Sequence, residues 1–272
     1  NAISPNDSQA SLIQTSLSRA SANQKGLLMN ELLSGNNLRG LAAELIATFT
    51  FMFMGVGAIG VVLGAGFTLV SPTDNAGLVI IALGHGLGIF LGVVVIGRIT
   101  GAHMNPAVTI AAIISGNTGV IRGFSFILGQ LIGSSVAIYL LGEFVWIIPN
   151  LGVQTLSVTP GDGLVIEVIL TFFLVFTVFA TMIDKRGNTA LAPAAIAVVI
   201  FVDHLIAVPL TGASMNPARS FGPALVHGQW PDHWVYWAGP ILGAVTAALA
   251  YVMIFGDKDD QAKLGSIRMK SE

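Results

Sequence analysis

The stretch Gly-Ala-His-Met-Asn-Pro-Ala at 101–107 returns almost unchanged as Gly-Ala-Ser-Met-Asn-Pro-Ala at 212–218. An apolar segment continues from each copy, to residue 115 in the first and to residue 226 in the second. Asn before Pro at the start of an apolar run is typical of a capped helix start. At about 1.5 Å per residue, each segment covers roughly half of a ~30 Å hydrocarbon core. The two stretches therefore predict a pair of half-helices that enter a membrane without crossing it.

The composition supports a membrane protein. Of 272 residues, 54% are hydrophobic and 10% are charged, and the mean hydropathy is +0.80. Soluble domains carry about 25% charged residues, so a water-soluble enzyme is excluded. A net charge of −2 argues against nucleic-acid binding, and the lack of cysteine excludes thiol chemistry and disulfides. We find no pattern for a catalytic nucleophile with its base or for a metal site, and therefore expect neither enzymatic activity nor a cofactor.

Six apolar stretches are long enough to span a bilayer. They lie at about 40–63, 77–97, 120–141, 163–183, 190–210 and 234–255. Glu44-Leu-Ile-Ala-Thr-Phe in the first span corresponds to Glu167-Val-Ile-Leu-Thr-Phe in the fourth. Because each half holds three spans, the second copy must insert in the opposite sense, and such inverted repeats place their site near the bilayer midplane.

The same pattern of spans divides the chain into a channel domain and two tails. The channel domain is predicted at 39–256, with repeat one at about 39–142 and repeat two at about 163–256. Residues 1–38 lack the pattern of a signal peptide, and 257–272 are short and charged. All of the 12 Lys and Arg residues except Arg219 fall on one side of the membrane if the spans alternate. The positive-inside rule therefore predicts that both tails are cytosolic.

Two Asn-Pro-Ala boxes, a Glu in spans one and four, and Asn-Pro-Ala-Arg-Ser in the second box resemble the aquaporin family over about residues 39–256. This resemblance implies an all-α membrane protein of six transmembrane helices and two re-entrant half-helices, arranged as the aquaporin hourglass. It also implies a homotetramer in the lipid bilayer, with a pore through each protomer. The implied function is passive conduction of water along osmotic gradients, with protons and ions excluded.

The boxes would supply the centre of such a pore. Two helix N-termini that meet head to head bring positive potential together, which repels cations and hydronium. Asn105 and Asn216 would also donate side-chain N–H groups to a passing water, which interrupts a proton wire. The box residues are therefore Asn105, Pro106, Ala107, Asn216, Pro217 and Ala218. The alternative, that Asn and Pro merely end loops, does not explain two copies in an inverted repeat.

Two interpretations are open for the glutamates inside the spans. Glu44 and Glu167 lie inside spans and need a partner there. The resemblance implies that they brace loop backbone beside the half-helices, whereas a proton-coupled transporter would use them, with Asp203, as titrating groups. His103 precedes the first box, and we expect it in the cytosolic vestibule.

The resemblance also implies a selectivity filter. Its members would be His85, 20 residues before Asn105; His204, 12 before Asn216; Ala213; and Arg219. Many water-specific aquaporins have Phe where this chain has His85, so the set is more similar to that of vacuolar and hybrid plant aquaporins. Water is expected first, and the room left by His85 and Ala213 keeps hydrogen peroxide and ammonia open as further solutes. A histidine on an apolar helix can instead be an ordinary core residue.

Three further expectations concern surroundings and alternatives. The plasma membrane is favoured over a vacuolar or other internal membrane. Trp230, Trp234, Tyr236 and Trp237 are expected to form an aromatic belt at the outer end of span six. A structural membrane junction protein is the remaining alternative to a channel or a transporter.

Overall fold

The computed structural model gives the arrangement of most of the chain between the tails. It describes residues 24–27, 29–66, 75–145, 147–257 and 259–261. Most of the predicted tails, at 1–38 and 257–272, therefore lies outside the described residues. Helices dominate the described part, in which no strand occurs.

Six helices are long and apolar enough to cross a bilayer. They are α1 (Gly35–Gly64), α2 (Ala76–Thr100), α4 (Val120–Phe144), α5 (Pro160–Val178), α6 (Ala192–Thr211) and α8 (Val235–Phe255). A π-helical turn at Phe179–Ile183 continues α5. The six predicted spans are confirmed, with boundaries that differ by a few residues.

Two short helices occupy the positions of the predicted half-helices. These are α3 (Pro106–Ile114) and α7 (Pro217–His227), each with proline as its first residue. Each half-helix packs mainly against the third span of the opposite repeat, α3 on α8 and α7 on α4. A Cβ on Gly222 of α7 would lie 2.1 Å from the Ser134 hydroxyl of α4, which shows how close that crossing is. The halves therefore interlock around the half-helices.

Glycines set the spacing of the long helices at equivalent places in the two repeats. A Cβ on Gly133 of α4 would lie 2.3 Å from the carbonyl oxygen of Leu45 in α1. A Cβ on Gly243 of α8 would likewise lie 2.3 Å from the carbonyl oxygen of Val168 in α5. No larger residue fits without moving a backbone, so small residues hold the spans together. The two repeats join through α2 and α6.

The distribution of polarity suits a lipid environment. Apolar side chains such as Val95, Ile169 and Ile206 are more than 45% exposed on the outer helix faces, whereas Glu44 and Glu167 are fully buried. Among the described residues, polar groups thus concentrate inside the bundle, where they can bind one another or line a pore.

Candidate functional site

The first box is held by a buried carboxylate of α1. Glu44 Oε1 accepts hydrogen bonds from the Thr100 hydroxyl (2.6 Å) and the His103 backbone N–H (2.9 Å). Glu44 Oε2 accepts from the Met104 backbone N–H (2.7 Å) and from Gln130 Nε2 (2.8 Å). Four donors thus converge on one carboxylate, and two of them are backbone groups of the loop that leads into α3.

The second box repeats this arrangement. Glu167 Oε1 accepts from the Thr211 hydroxyl (2.7 Å) and the Ser214 backbone N–H (2.9 Å), and Oε2 accepts from the Met215 backbone N–H (2.7 Å). The repeat departs from symmetry at one donor, because α8 carries Pro240 where α4 carries Gln130. Glu167 therefore has three of the four contacts that surround its counterpart.

The loops before the half-helices share an unusual backbone. The helices α2 and α6 end at Gly101 and Gly212, which adopt the left-handed conformation that glycine permits (φ of 89° and 79°). The non-glycine residues Ala102, Met104, Ala213 and Met215 also have positive φ, between 49° and 54°. Such strain persists only where surrounding contacts fix it, here the two buried carboxylates.

The two boxes bind each other reciprocally. Asn105 Oδ1 accepts from the backbone N–H of Ala107 (2.8 Å), while its Nδ2 donates to the carbonyl of Met215 (2.8 Å). Asn216 Oδ1 accepts from Ala218 N–H (2.9 Å), and its Nδ2 donates to the carbonyl of Met104 (2.8 Å). The half-helix N-termini therefore meet. Each asparagine NH₂ group has two hydrogens and uses one of them in these bonds, so one N–H of each asparagine remains unused by them.

Two histidines from different repeats lie together beside the boxes. The rings of His85 and His204 stack with their centroids 4.2 Å apart. Their Nδ1 atoms lie 2.9 Å from the Ile81 carbonyl and 2.8 Å from the Ile200 carbonyl. A carbonyl can only accept, so each neutral ring carries its proton on Nδ1 and leaves Nε2 as an acceptor. Neither Nε2 atom has a hydrogen-bond partner among the described residues.

The remaining predicted filter residues lie on the second box and the loop before it. Arg219 is 2% exposed, and its Nη1 donates to the carbonyl of Gly152 (2.9 Å), whereas Nε has no partner among the described residues. Ala213 is fully buried, and its N–H donates to the Thr211 hydroxyl (3.1 Å). The group as a whole thus offers acceptors on the histidines and donors on the arginine.

Two cavities approach this group from opposite directions. The box cavity is lined by Asn105, Asn216 and His204, with apolar side chains of α2, α5 and α6 around them. The loop cavity is lined by Arg219 and by residues of the segment 150–157. Because His204 borders the first cavity and Arg219 the second, the cluster of predicted filter residues lies between them.

Comparison with known proteins identifies the architecture. The model of the family described as "Major intrinsic protein" matches residues 31–251. The chain belongs to that family. Aquaporin TIP2-1 of Arabidopsis thaliana is 41% identical over 236 residues, which cover 85% of this chain and 92% of the relative. A probable TIP-type aquaporin of Medicago truncatula is 42% identical over 224 residues, covering 81% of this chain and 88% of the relative.

A solved structure agrees with the fold of this major intrinsic protein. The aquaglyceroporin of Plasmodium falciparum superposes with a TM-score of 0.69, at 22% identity, over 80% of this chain and 96% of the other. At that identity the match establishes the aquaporin fold and no more. Together with the named aquaporins among its relatives, it confirms the predicted family, fold and class of function. The chain is an integral, multi-pass water channel and not an enzyme.

Several buried polar contacts of this major intrinsic protein were not predicted from its sequence. Gln130 joins Glu44 to the Thr109 hydroxyl (3.0 Å), although its polar side chain inside an apolar span was a visible signal. Tyr236 was expected in an aromatic belt, and this is wrong: it is 1% exposed and donates from its hydroxyl to the carbonyl of Thr211 (2.9 Å). Trp230 and Trp234 are exposed, as a belt requires.

The last two predicted positions separate from the filter. His103 lines the box cavity from the side of the first loop, where Nδ1 lies 3.0 Å from the Thr109 hydroxyl and the ring meets Phe126 edge to face at 5.2 Å. Asp203 is 4% exposed but is absent from the lining of both cavities. Its carboxylate atom Oδ2 has no hydrogen-bond partner among the described residues.

Proposed function

We propose that water crosses this channel in single file from the loop cavity, past His85, His204, Ala213 and Arg219, to Asn105 and Asn216. The observation that carries the proposal is the reciprocal pairing of each box asparagine with a carbonyl of the opposite loop. It brings two helix N-termini, each equivalent to about half a positive charge, to one point. The remaining asparagine N–H groups can then bind the oxygen of one passing water.

This arrangement supports exclusion of protons and cations. A water that accepts from both asparagines points its hydrogens away along the pore, so its neighbours orient in opposite directions and the proton wire is interrupted. Positive potential from the half-helices and from Arg219 adds a barrier against cations. In this proposal Glu44 and Glu167 are structural, since their oxygens are occupied by backbone and hydroxyl donors. A proton-coupled transporter would need these carboxylates free to titrate.

The filter chemistry supports water as the main solute. Histidine acceptors and arginine donors suit a small molecule that both gives and receives hydrogen bonds. We propose hydrogen peroxide and ammonia as accompanying solutes, because Ala213 has a small side chain and imidazole is smaller than the phenyl ring of many water-specific relatives.

Assembly and membrane are also proposals. We propose a homotetramer with both termini in the cytosol, on the basis of the family resemblance and the one-sided distribution of Lys and Arg. The preference for the plasma membrane finds no support among the relatives reported above. Their TIP-type names agree with a filter similar to that of vacuolar and hybrid plant aquaporins, so we propose an internal, vacuolar-type membrane instead.

The test is a pair of flux measurements on the same proteoliposomes. Stopped-flow shrinkage reports water permeability, and a trapped pH dye under an imposed pH gradient reports proton flux. We expect fast shrinkage and proton flux equal to that of empty liposomes. Proton flux that scales with water flux would contradict the proposed role of the boxes, and solute uptake driven by the pH gradient would favour the transporter.

A further inference from the structure

The segment 150–157 lies against the ends of two different helices beside the filter. Although it lies in the connection between the third and fourth spans, α4 and α5, its residues Leu151 and Gln154 are only 1% and 6% exposed. A Cβ on Gly152 would lie 2.8 Å from Val56 of α1 and 3.3 Å from Pro223 of α7. The segment is therefore packed into the bundle.

Gln154 connects the two helices that carry the filter. Its Nε2 donates to the carbonyl of Gly212 (2.9 Å), the residue that ends α6. Its Oε1 accepts from the hydroxyl of Ser220 in α7. The amide can adopt only this orientation, because the Gly212 carbonyl needs a donor, and both ends of the side chain are then satisfied.

Both partners of Gln154 are sequence neighbours of filter residues. Gly212 precedes Ala213, and Ser220 follows Arg219. Two residues before Gln154, the Gly152 carbonyl accepts the hydrogen bond from Arg219 Nη1. One short segment thus fixes the backbone beside Ala213, the backbone beside Arg219 and the guanidinium itself.

Within the described part of the chain, no other contact of the Gly212 carbonyl replaces the one to Gln154. Among the described residues, Gln154 is its one hydrogen-bond donor, and the left-handed turn at Gly212 prevents the carbonyl from continuing the helix ladder. On the other side, Ser220 Oγ lies 2.5 Å from Ser214 Oγ in the loop before the box. Removing the amide would leave the buried Gly212 carbonyl without a donor and the Ser220 hydroxyl with Ser214 as its remaining partner, which favours movement of the end of α6 relative to α7.

We propose that Gln154 is a positioning residue of the selectivity filter, which sets the solute cut-off by fixing the separation of Ala213 from Arg219. The inference rests on the proposed function, since it requires these residues to form the constriction. It assigns part of the solute selectivity to Gln154, which is not one of the four predicted filter residues.

The test compares five variants, among them Arg219→Val, in proteoliposomes of matched protein density. Gln154→Leu removes both hydrogen bonds of the amide at similar side-chain length, Ser220→Ala removes the hydrogen bond to Gln154 together with the contact to Ser214, and the double variant combines them. Ile147→Thr is the control, because Ile147 is 92% exposed in the same connection between α4 and α5 and lines neither cavity. The readouts are the ratio of urea to water permeability and the thermal unfolding temperature in detergent.

We expect Gln154→Leu to raise the urea-to-water ratio about three- to tenfold, the range that loss of a buried hydrogen bond allows. Ser220→Ala should also raise the ratio, and the double variant should raise it by less than the product of the two single effects, since both substitutions break the hydrogen bond between Gln154 and Ser220. Ile147→Thr should leave the ratio unchanged. If Gln154→Leu does not fold, the rise with Ser220→Ala alone still tests the proposal.

Two outcomes would overturn the inference, and they differ from failure of the proposed function. A fall in all permeabilities at constant ratio would show that Gln154 only stabilises the fold. A second outcome is an unchanged ratio in both Gln154→Leu and Ser220→Ala together with an altered ratio in Arg219→Val. It would show that Arg219 lines the constriction but that Gln154 does not position it. An unchanged ratio in Arg219→Val as well would show that these residues are not the constriction, and both proposals would be wrong.

Discussion

His85 and His204 belong to opposite repeats, yet their rings stack with centroids 4.2 Å apart, and each is anchored through Nδ1 to the carbonyl one helical turn earlier. The contact fixes the α2–α6 junction between the repeats at the level of Arg219. It also orients both Nε2 acceptors, because rotation of either ring would break its carbonyl bond. We therefore treat the histidines as a pair that shapes one wall of the proposed filter.

We expect His85→Phe to narrow the solute range toward water alone. Phenylalanine removes the Nε2 acceptor and places a larger ring in the same position, so the opening becomes smaller and less polar. Ammonia permeability should fall relative to water permeability in stopped-flow measurements at matched protein density. A matched control is Phe90→Leu on the exposed face of α2, which should change neither permeability. An unchanged ammonia-to-water ratio in His85→Phe would exclude His85 from the constriction.

We expect Arg219→Val to keep water permeability and to admit urea or glycerol. The substitution removes the guanidinium from between the two cavities and lowers the electrostatic barrier there, while Ala213 and the histidines remain. The measurement is the permeability of water, urea and glycerol in liposomes. Arg98→Gln, at an exposed cation in the last turn of α2 that lines neither cavity, provides the control. If every solute ratio stays constant, Arg219 does not line the constriction.

The repeat explains how much of this fold the sequence could predict. Six spans, two half-helices and asparagine caps follow from patterns within short segments, and each pattern occurs twice. The positions of Glu44 and Glu167 follow from the same alignment of halves. The roles proposed for these residues remain predictions, but the places of the elements that carry them could be read from the chain.

Contacts between remote segments could not be predicted in the same way. Gln154 lies in a loop with no counterpart in the repeat, and its partners are 58 and 66 residues away. Tyr236 was misassigned because a tyrosine near a span end suits either an interface or a buried hydrogen bond to Thr211. The stacking of His85 on His204 depends on how α2 crosses α6, which periodicity does not specify.

Glu44→Gln should destabilise the channel by about 2 kcal/mol or more, the scale of a lost hydrogen bond to a charged group. Glutamine would replace one acceptor oxygen with an NH₂ group. A donor would then face the backbone N–H groups that now donate to the carboxylate of Glu44. Thermal unfolding in detergent measures the effect. Glu143→Gln, at an exposed position near the end of α4, should leave the unfolding temperature unchanged. Equal stability of both variants would show that the carboxylate does not hold the first loop.

A charged contact at the end of the π-helical turn provides a prediction about local order. Arg186 donates to both carboxylate oxygens of Asp184 and to the carbonyl of Phe255, while Tyr251 donates to Asp184 Oδ2 (2.8 Å). We expect Asp184→Asn to release this loop, so that trypsin cleaves faster after Lys185 and Arg186. Asp162→Asn, in the first turn of α5 at the other end of the span, is the control.

The same contact should depend on pH in one direction. Its side-chain hydrogen bond to Arg186 holds the pKa of Asp184 below its usual range. A carboxyl with a lowered pKa in the folded state contributes stability above its unfolded pKa, about 3.9, and loses it as the pH falls through the folded value. Hydrogen exchange of 184–190, corrected for intrinsic rates, should stay slow from pH 7 to about pH 4 and rise below. Release of the loop near pH 6 would contradict this assignment.

Ala213→Cys should make the water flux sensitive to mercurials. The chain contains no cysteine, so we expect the unmodified channel to resist them. Ala213 is fully buried and has a positive φ of 52°. A cysteine would have to adopt the same backbone conformation that the alanine already adopts. A mercury atom on that thiol would occupy the constriction and stop water.

The control for this experiment is a cysteine that a mercurial can reach but that lies away from the pore. Leu242→Cys serves, because Leu242 is 50% exposed on the outer face of α8. Mass spectrometry should show mercury on both variants, whereas stopped-flow shrinkage should slow only in Ala213→Cys and recover when excess thiol removes the metal. If the Ala213→Cys variant binds mercury and its water flux does not fall, the constriction lies elsewhere. Block of the cysteine-free channel, reversed by thiol, would show that mercurials act on it through another group.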